Sequence, residues 1–400
     1  MSEQRLCDYL RSRKISFHTE ACDTYFGEHL TLSIATTTAA LPISPVDEPL
    51  LYGGCGSSWT ADCHGLVSLA ETVERAHFFL SKYEASELKK QVAPPGDISR
   101  FADRHVDISK PPDLHWMICQ KVSPKGREIA SVPAQAIIAN WCHIVPEELV
   151  CPSLDTAGCA FSPRGHKDAE LSAVLELVER HSILTAWFSN RTPSRIDIDD
   201  RTVTAIQESL EEAGIQSWFL NVTDTKLRIP TVVTVLHCVD KNLPTIITGS
   251  ASKLCFDEAV HSSLREALQM LPSITKRLSS EDFFEQLTSK TQIARALWWA
   301  SIKETTHIPT WLKGVGSDLL SGINHSKLSH ESLLQSVFTA FDQIYFCDVT
   351  EESLSRSGFA VVRAFIPEVL GRADFDIGLT TRMPRKLGYR ENHLVPHPFA

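Results

Sequence analysis

The chain has 400 residues, 43% of them apolar and 22% charged, so it can bury one large core or two ordinary ones. Its net charge of −10, with no block of like charges, argues against nucleic acid as a main ligand. No run approaches the ~18 apolar residues of a membrane helix, and the start MSEQRLCDYLRSRK lacks the apolar core of a signal peptide. The 11 cysteines are odd in number and include no C-x-x-C pair, so a cytoplasmic location without structural zinc is expected.

Residues 1–50 alternate short apolar runs with polar turns and read as a short helix, then one or two strands, with 30–34 the better. The small-residue stretch 53–58 reads as a loop leading into a helix over 61–83. The stretch 92–112, with Pro94, Pro95, Pro111 and Pro112, reads as a loop, and 114–121 and 128–139 as strands. A second small-residue loop, 158–165, leads into a long helix over 167–188. Downstream, 203–213 reads as a helix stopped by Gly214, and 215–222, 231–239 and 245–249 as strands. A helix over 257–271 follows; 273–335 looks mostly helical, and 344–349 and 360–366 look like buried strands. The class is α+β with mainly antiparallel sheets, divided into an N-terminal segment, 1–50, and a main domain, 51–400.

In the long helix, Leu171, Val174, Leu175, Val178, Ile183 and Leu184 recur at spacings of three and four and mark an apolar face. Glu176, Glu179 and Arg180 share a neighbouring face. A near copy, with Glu71, Glu74 and Arg75, stands 105 residues earlier and suggests an internal duplication. The 257–271 helix carries Glu266 and Gln269 at the same three-residue spacing.

Carboxylates one helical turn apart suit magnesium, which takes a few carboxylates plus water and substrate phosphates. Neighbouring arginines suit phosphate oxygens. A bland alternative is an exposed helix face whose Glu–Arg pairs contribute ~0.3–0.5 kcal/mol each. The two glycine- and serine-containing loops offer backbone N–H groups to phosphate, but they match no nucleotide fingerprint and also read as plain turns. His64, His77 and His181 read as structural or surface groups, and Cys142, His143 and Cys159 as ordinary packing for want of a positioned base. Trp298 and Trp299 read as core or a partner surface, and Asp197, Asp199 and Asp200 as a solvated turn.

These stretches resemble one family. GCAFSPRGHKDAELSAVLELVERHS is similar to the central signature of YcaO-domain proteins, and SLAETVERAHFF to their first helix. REALQM resembles their Glu-x-x-Gln helix, AVVRAFIPEVL their late strand, and PRKLGYRENHLVPHPFA the proline-rich end of azoline-forming members. The likeness is nearest to the cyclodehydratase subunit of microcin-type thiazole/oxazole synthetases and implies a YcaO-like fold with duplicated helix-on-sheet halves. It implies an ATP- and Mg2+-dependent enzyme that converts Cys, Ser or Thr of a ribosomal precursor peptide to an azoline by phosphorylating the backbone amide oxygen.

Carried over position by position, the resemblance puts Glu71, Glu74, Glu176, Glu179 and Glu266 on magnesium, and Gln269 beside the nucleotide. Arg75 and Arg180 would meet phosphate or order the carboxylates; Ser57, Ser68 and Asp168 occupy further nucleotide-side positions. Pro396, Pro398 and the Ala400 carboxylate would assist proton transfer. Three positions depart from the pattern: Ala173 and Pro272 stand where serine and arginine are expected, and Ala400 where proline ends the tail. The resemblance also implies a leader-binding partner protein, expected as a separate chain because few residues precede the first motif, and an FMN-dependent dehydrogenase. Thioamide or amidine formation, or a catalytically silent peptide-binding scaffold, are the competing readings.

Overall fold

The structure, a computed structural model, describes residues 3–26, 30–42, 49–59, 64–79, 114–139, 141–145, 157–189, 191–238, 244–283, 292–302, 310–319 and 327–369. The expected 92–112 loop and the proline-rich tail lie outside them.

Long alternating and β-branched runs form three sheets among the described residues. One is ordered β1 (Ser16–Phe26), β2 (Leu30–Leu41), β3 (Leu50–Ser58). The second is ordered β5 (Gly126–Pro133), β4 (Trp116–Ser123), β12 (Ile344–Asp348), β13 (Ala360–Phe365), β6 (Gly158–Ser162). The third is ordered β10 (Ile246–Ser252), β9 (Thr231–Cys238), β8 (Ile215–Asn221), β7 (Ser194–Asp197), β11 (Val315–Leu319). β3 pairs antiparallel with β2, and within the second and third sheets pairing is antiparallel apart from β11 on β7. TVVTVLHC of β9 and AVVRAF of β13 are buried along their whole length, as central strands rich in branched residues should be.

The longer helices are α1 (Glu3–Ser12), α2 (His64–Ala76), α3 (His166–Phe188), α4 (Arg201–Glu212), α5 (Phe256–Leu278), α6 (Gln292–Ser301) and α7 (His330–Phe338). The chain divides into two units, and the division falls inside α3, after Arg180. The first unit holds the described residues of 1–22, 33–180 and 337–383; Leu6 and Leu10 of α1, Leu69 and Val73 of α2, and Val361 of β13 share one of its cores. The second holds the described residues of 23–32 and 181–336, with α5 packed on β10 and β9.

Several boundaries differ from the sequence reading for local reasons. The stretches 53–58 and 158–162 are strands, not loops: their small residues let a helix backbone come close, as shown below. The 61–83 helix ends at Ala76, where His77 and Phe78 turn back onto the Glu74 and Arg75 carbonyls. His77 is then held by Tyr9 Oη at 3.0 Å and the Val73 carbonyl at 2.7 Å. After Pro133 the β5 strand gives way to a short helix, Ala134–Ile137. The 257–271 helix runs on through Pro272, which leaves the Leu268 carbonyl without its N–H donor, and in the turn that follows the Thr275 hydroxyl donates to the Leu271 carbonyl at 2.7 Å. Residues 315–319, expected to be helical, add β11 to β7. Asp200 is no idle turn: its carboxylate caps α4 by accepting the Val203 amide at 3.0 Å. Trp299 is core, edge-on to Trp187.

Candidate active site

β3, β6 and β10 are each the outermost strand of their sheet among the described residues. An outermost strand presents amides with no neighbouring strand to accept them. Here a glutamate does so. Glu71 Oε2 on α2 accepts the Cys55 amide at 2.8 Å. Glu176 Oε2 on α3 accepts the Cys159 amide at 2.7 Å. Glu266 Oε2 on α5 accepts the Ser250 amide at 2.5 Å. The glutamate follows its strand partner by 16, 17 and 16 residues. The duplication read from the sequence therefore has a third member, Gly249 to Gln269, in the second unit.

A glycine precedes the amide in each copy: Gly54, Gly158 and Gly249. A Cβ there would collide with the helix backbone, at the carbonyls of Ser68, Ala173 and Ser263 respectively. The close approach is what brings a short glutamate side chain within reach of the strand edge. In the first copy the Ser68 and Thr37 hydroxyls lie 2.6 Å apart, and Ser68 donates to the Gly54 carbonyl at 3.0 Å. The third copy repeats the hydroxyl pair with Ser263 and Thr234, 2.8 Å apart, while Ser263 donates to the Val260 carbonyl of its own helix at 3.1 Å. In the second, Ala173 and Ala364 occupy the corresponding positions, because Ala364 pairs Gly158 as Thr37 pairs Gly54 and Thr234 pairs Gly249. The Ala173 departure is thus half of a matched change that removes both hydroxyls together.

The first two copies meet on β6. Glu74 Oε2, from α2, accepts the Phe161 amide at 2.8 Å, two residues along from the amide held by Glu176. Burial, then Glu176, push Glu74 up to about 8; the Phe161 amide opposes this, and Glu71 adds to it. Arg75 pairs with Glu71 at 2.5 Å, and Arg180 pairs closely with Glu176. Position 270, the third copy's counterpart of these arginines, is methionine.

Each carboxylate keeps further lone pairs after accepting one amide, so the same oxygens can meet a metal while the strand fixes their direction. The crowding that drives Glu74 toward its neutral form is what a divalent cation relieves. Among the described residues no three His, Cys, Asp or Glu side chains form a ready-made metal cage. The donor set suits magnesium held jointly with nucleotide phosphates and water.

The structure thus brings Glu74, Glu176 and Arg180 together at β6 and holds Glu71 and Arg75 at β3, with Glu71 near enough to act on Glu74; Glu179 lies one turn beyond Glu176. Glu266 and Gln269 repeat the geometry in the second unit. Ser68 is buried and spends its hydroxyl on Gly54 and Thr37, which makes it a clamp between helix and sheet. Ser57 is buried on β3. Asp168 accepts the Ser162 hydroxyl at 2.7 Å and pairs with Arg164 at 2.9 Å, eight residues or ~12 Å along α3 from Glu176. Pro396, Pro398 and Ala400 lie outside the described residues. Burial pushes the Cys159 thiol well up, which leaves it a packing group. Burial pulls His181 down to about 4, so it is neutral at pH 7.

One charged residue escaped the sequence reading. Arg363 on β13 stands opposite Cys159 and is 1% exposed. Its guanidinium lies 4.7 Å from the Phe78 ring centroid, while Nε and Nη1 have no acceptor among the described residues. AVVRAF reads as a strand, but an arginine inside such a run is the signal that marks it.

A family model described as YcaO cyclodehydratase, ATP- and Mg2+-binding, matches residues 63–370. No curated protein matches the sequence. Among solved structures, a heterocyclase in complex with substrate and cofactor is similar at TM-score 0.64 and 15% identity, over 99% of this chain and 57% of that one. The chain therefore spans little more than half the length of that heterocyclase. YcaO from Methanopyrus kandleri bound with AMPPCP and Mg2+ is similar at TM-score 0.63 and 16% identity, over 96% and 95% of the two chains. The E. coli microcin synthetase McbBCD complex follows at 0.61 and 15%, over 88% of each chain. At these identities the structural likeness speaks to the fold. Among the described residues no helix is long and apolar enough to cross a membrane. The match over most of the sequence, on the stretch that carries the repeated glutamates, makes this chain a member of the YcaO family, a family that binds ATP and Mg2+.

Proposed function

We propose that this protein is an ATP- and Mg2+-dependent cyclodehydratase that converts Cys, Ser or Thr residues of a ribosomal precursor peptide into thiazolines or oxazolines. The observation that carries the reading is the meeting of Glu74 and Glu176 on β6, with Glu71 held on β3 near enough to help raise Glu74, each oriented by a strand amide. Peptide chemistry is supported by the likeness to the heterocyclase with substrate and to microcin synthetase with pro-MccB17 bound.

In this reading the substrate side chain gives up its S–H or O–H proton, attacks the carbonyl carbon of the preceding residue and gives a tetrahedral adduct. The adduct oxygen takes the γ-phosphoryl group of ATP, and ADP leaves. The phosphorylated oxygen then departs as phosphate, the ring nitrogen gives up its proton, and a C=N bond forms. The peptide loses one water in total. Magnesium would neutralise charge on the phosphates. Glu71, Glu74, Glu176 and Glu179 would hold it, with Glu266 and Gln269 on the third helix. Arg75 and Arg180 would keep Glu71 and Glu176 directed along the strand edge. Pro396, Pro398 and Ala400 are assigned to proton transfer, and the leader-binding partner and FMN-dependent dehydrogenase to the surrounding complex.

Mass spectrometry of a precursor peptide incubated with the protein, its partners, ATP and Mg2+ tests this. Loss of one water per modified residue, abolished by Glu179→Gln, is expected. Exchange of oxygen for sulfur would replace the reading with thioamidation. Peptide bound without change of mass would replace it with a scaffold role.

A further inference from the structure

The second unit contains a cavity of about 740 Å3, lined by Asp224 among others but by none of the repeated glutamates. That is within the ~300–1,000 Å3 of ligand pockets. It opens where β8 ends at Asn221 and α5 begins at Phe256. Glu266 lies ten residues further along α5, ~15 Å away along its axis.

One wall is cationic. Asp224 Oδ1 accepts the Lys226 and Leu227 amides at 2.8 and 3.0 Å, and its carbonyl accepts the Arg228 amide at 2.9 Å. That turn sets Arg228 at φ +53°, a left-handed conformation that few non-glycine residues adopt. The Arg228 side chain is exposed at the cavity and has no partner among the described residues. Arg191 is fixed beside it by the Thr223 and Val222 carbonyls at 3.0 and 3.1 Å. The Asp224 carboxylate is buried and serves its own turn, so the wall that faces the space is positive. The other wall is apolar, made by Leu254, Phe256 and Val315, the last 49% exposed.

We propose that this cavity is a second peptide site, taking a short extended substrate segment with a carboxylate side chain on Arg228 and an apolar neighbour against Phe256 and Leu254. The inference rests on the peptide-substrate reading above. An acid beside an apolar side chain matches a cation beside an apolar wall, whereas a bare inorganic anion would leave that wall in water. An extended segment rising ~3.3 Å per residue covers the ~15 Å to Glu266 in about five residues.

Fluorescence anisotropy on the full chain without nucleotide tests it, using fluorescein-labelled Gly-Leu-Glu-Leu-Glu-Leu-Gly and the peptide with Gln in place of Glu. The acidic peptide should bind about tenfold tighter, and less so as salt rises. Arg228→Ala should erase the difference. Arg228→Gly, which suits the left-handed backbone, should erase it with the melting temperature maintained. Equal binding of the two peptides, discrimination that survives both variants, or displacement by inorganic phosphate at peptide-like concentrations would overturn the proposal. No ATP is turned over, so binding without cyclodehydration would count against the function alone, and cyclodehydration without discrimination against the second site alone.

Discussion

Glu74, on the first repeat helix, accepts the Phe161 amide of the second repeat's strand at 2.8 Å. That bond ties the two copies together and leaves the raised carboxyl of Glu74 within electrostatic reach of both Glu176 and Glu71.

The first consequence is a pH dependence. Between the ordinary carboxylate value near 4.5 and about 8, the folded protein holds a proton on Glu74 that the unfolded chain has released. Folding is therefore favoured at low pH, and this contribution is lost as pH rises through that window. The melting temperature in EDTA should fall from pH 5 to pH 8, and Glu74→Gln should flatten the fall. Magnesium with a non-hydrolysable nucleotide should restore more stability at pH 8 than at pH 6, because it binds the ionised form. A wild-type profile as flat as the variant's would remove Glu74 from this role.

Gly158→Ala should be severe. Its Cβ would run into the Ala173 carbonyl, a backbone atom that cannot rotate aside. Moving α3 away breaks the Glu176–Cys159 bond, so a loss of ~3 kcal/mol or more is expected in urea unfolding. Gly65→Ala, at a position with open space on α2, should be harmless by comparison.

Ala173 and Ala364 form a matched pair in place of two hydroxyls. Ala173→Ser alone should bury an unmatched hydroxyl and destabilise by ~1–2 kcal/mol. Adding Ala364→Thr should recover part of that loss, with a coupling of ~1 kcal/mol in a double-mutant cycle. Strict additivity would show that the hydroxyl pair of the other copies does not transfer.

Arg363→Met should stabilise the fold by ~1–3 kcal/mol, because the buried guanidinium has a ring face but no ion pair among the described residues. A lower unfolding midpoint for the variant would mean that Arg363 is balanced by the nearby carboxylates after all.

The glutamates were legible in the sequence because helical period puts Glu71 with Glu74, and Glu176 with Glu179, on one face. The strands they hold were not. GGCGSS and GCAFS are short, small and glycine-rich, so local propensity points to a loop. They are strands because sheet partners and a closely packed helix supply what propensity does not. The third copy was half visible: REALQM shows its helix, but IITGSAS gives little sign that Ser250 answers Cys55 and Cys159. Ala173 looked like a defect because its counterpart, Ala364, lies 191 residues later, beyond the reach of any local pattern.

The most direct test of the central claim is calorimetric titration of a non-hydrolysable ATP analogue into the protein, with and without Mg2+. Binding should require Mg2+ and weaken at least tenfold in Glu176→Gln and Glu179→Gln, each still folded by circular dichroism. Nucleotide binding that is indifferent to Mg2+ and to both substitutions would contradict it.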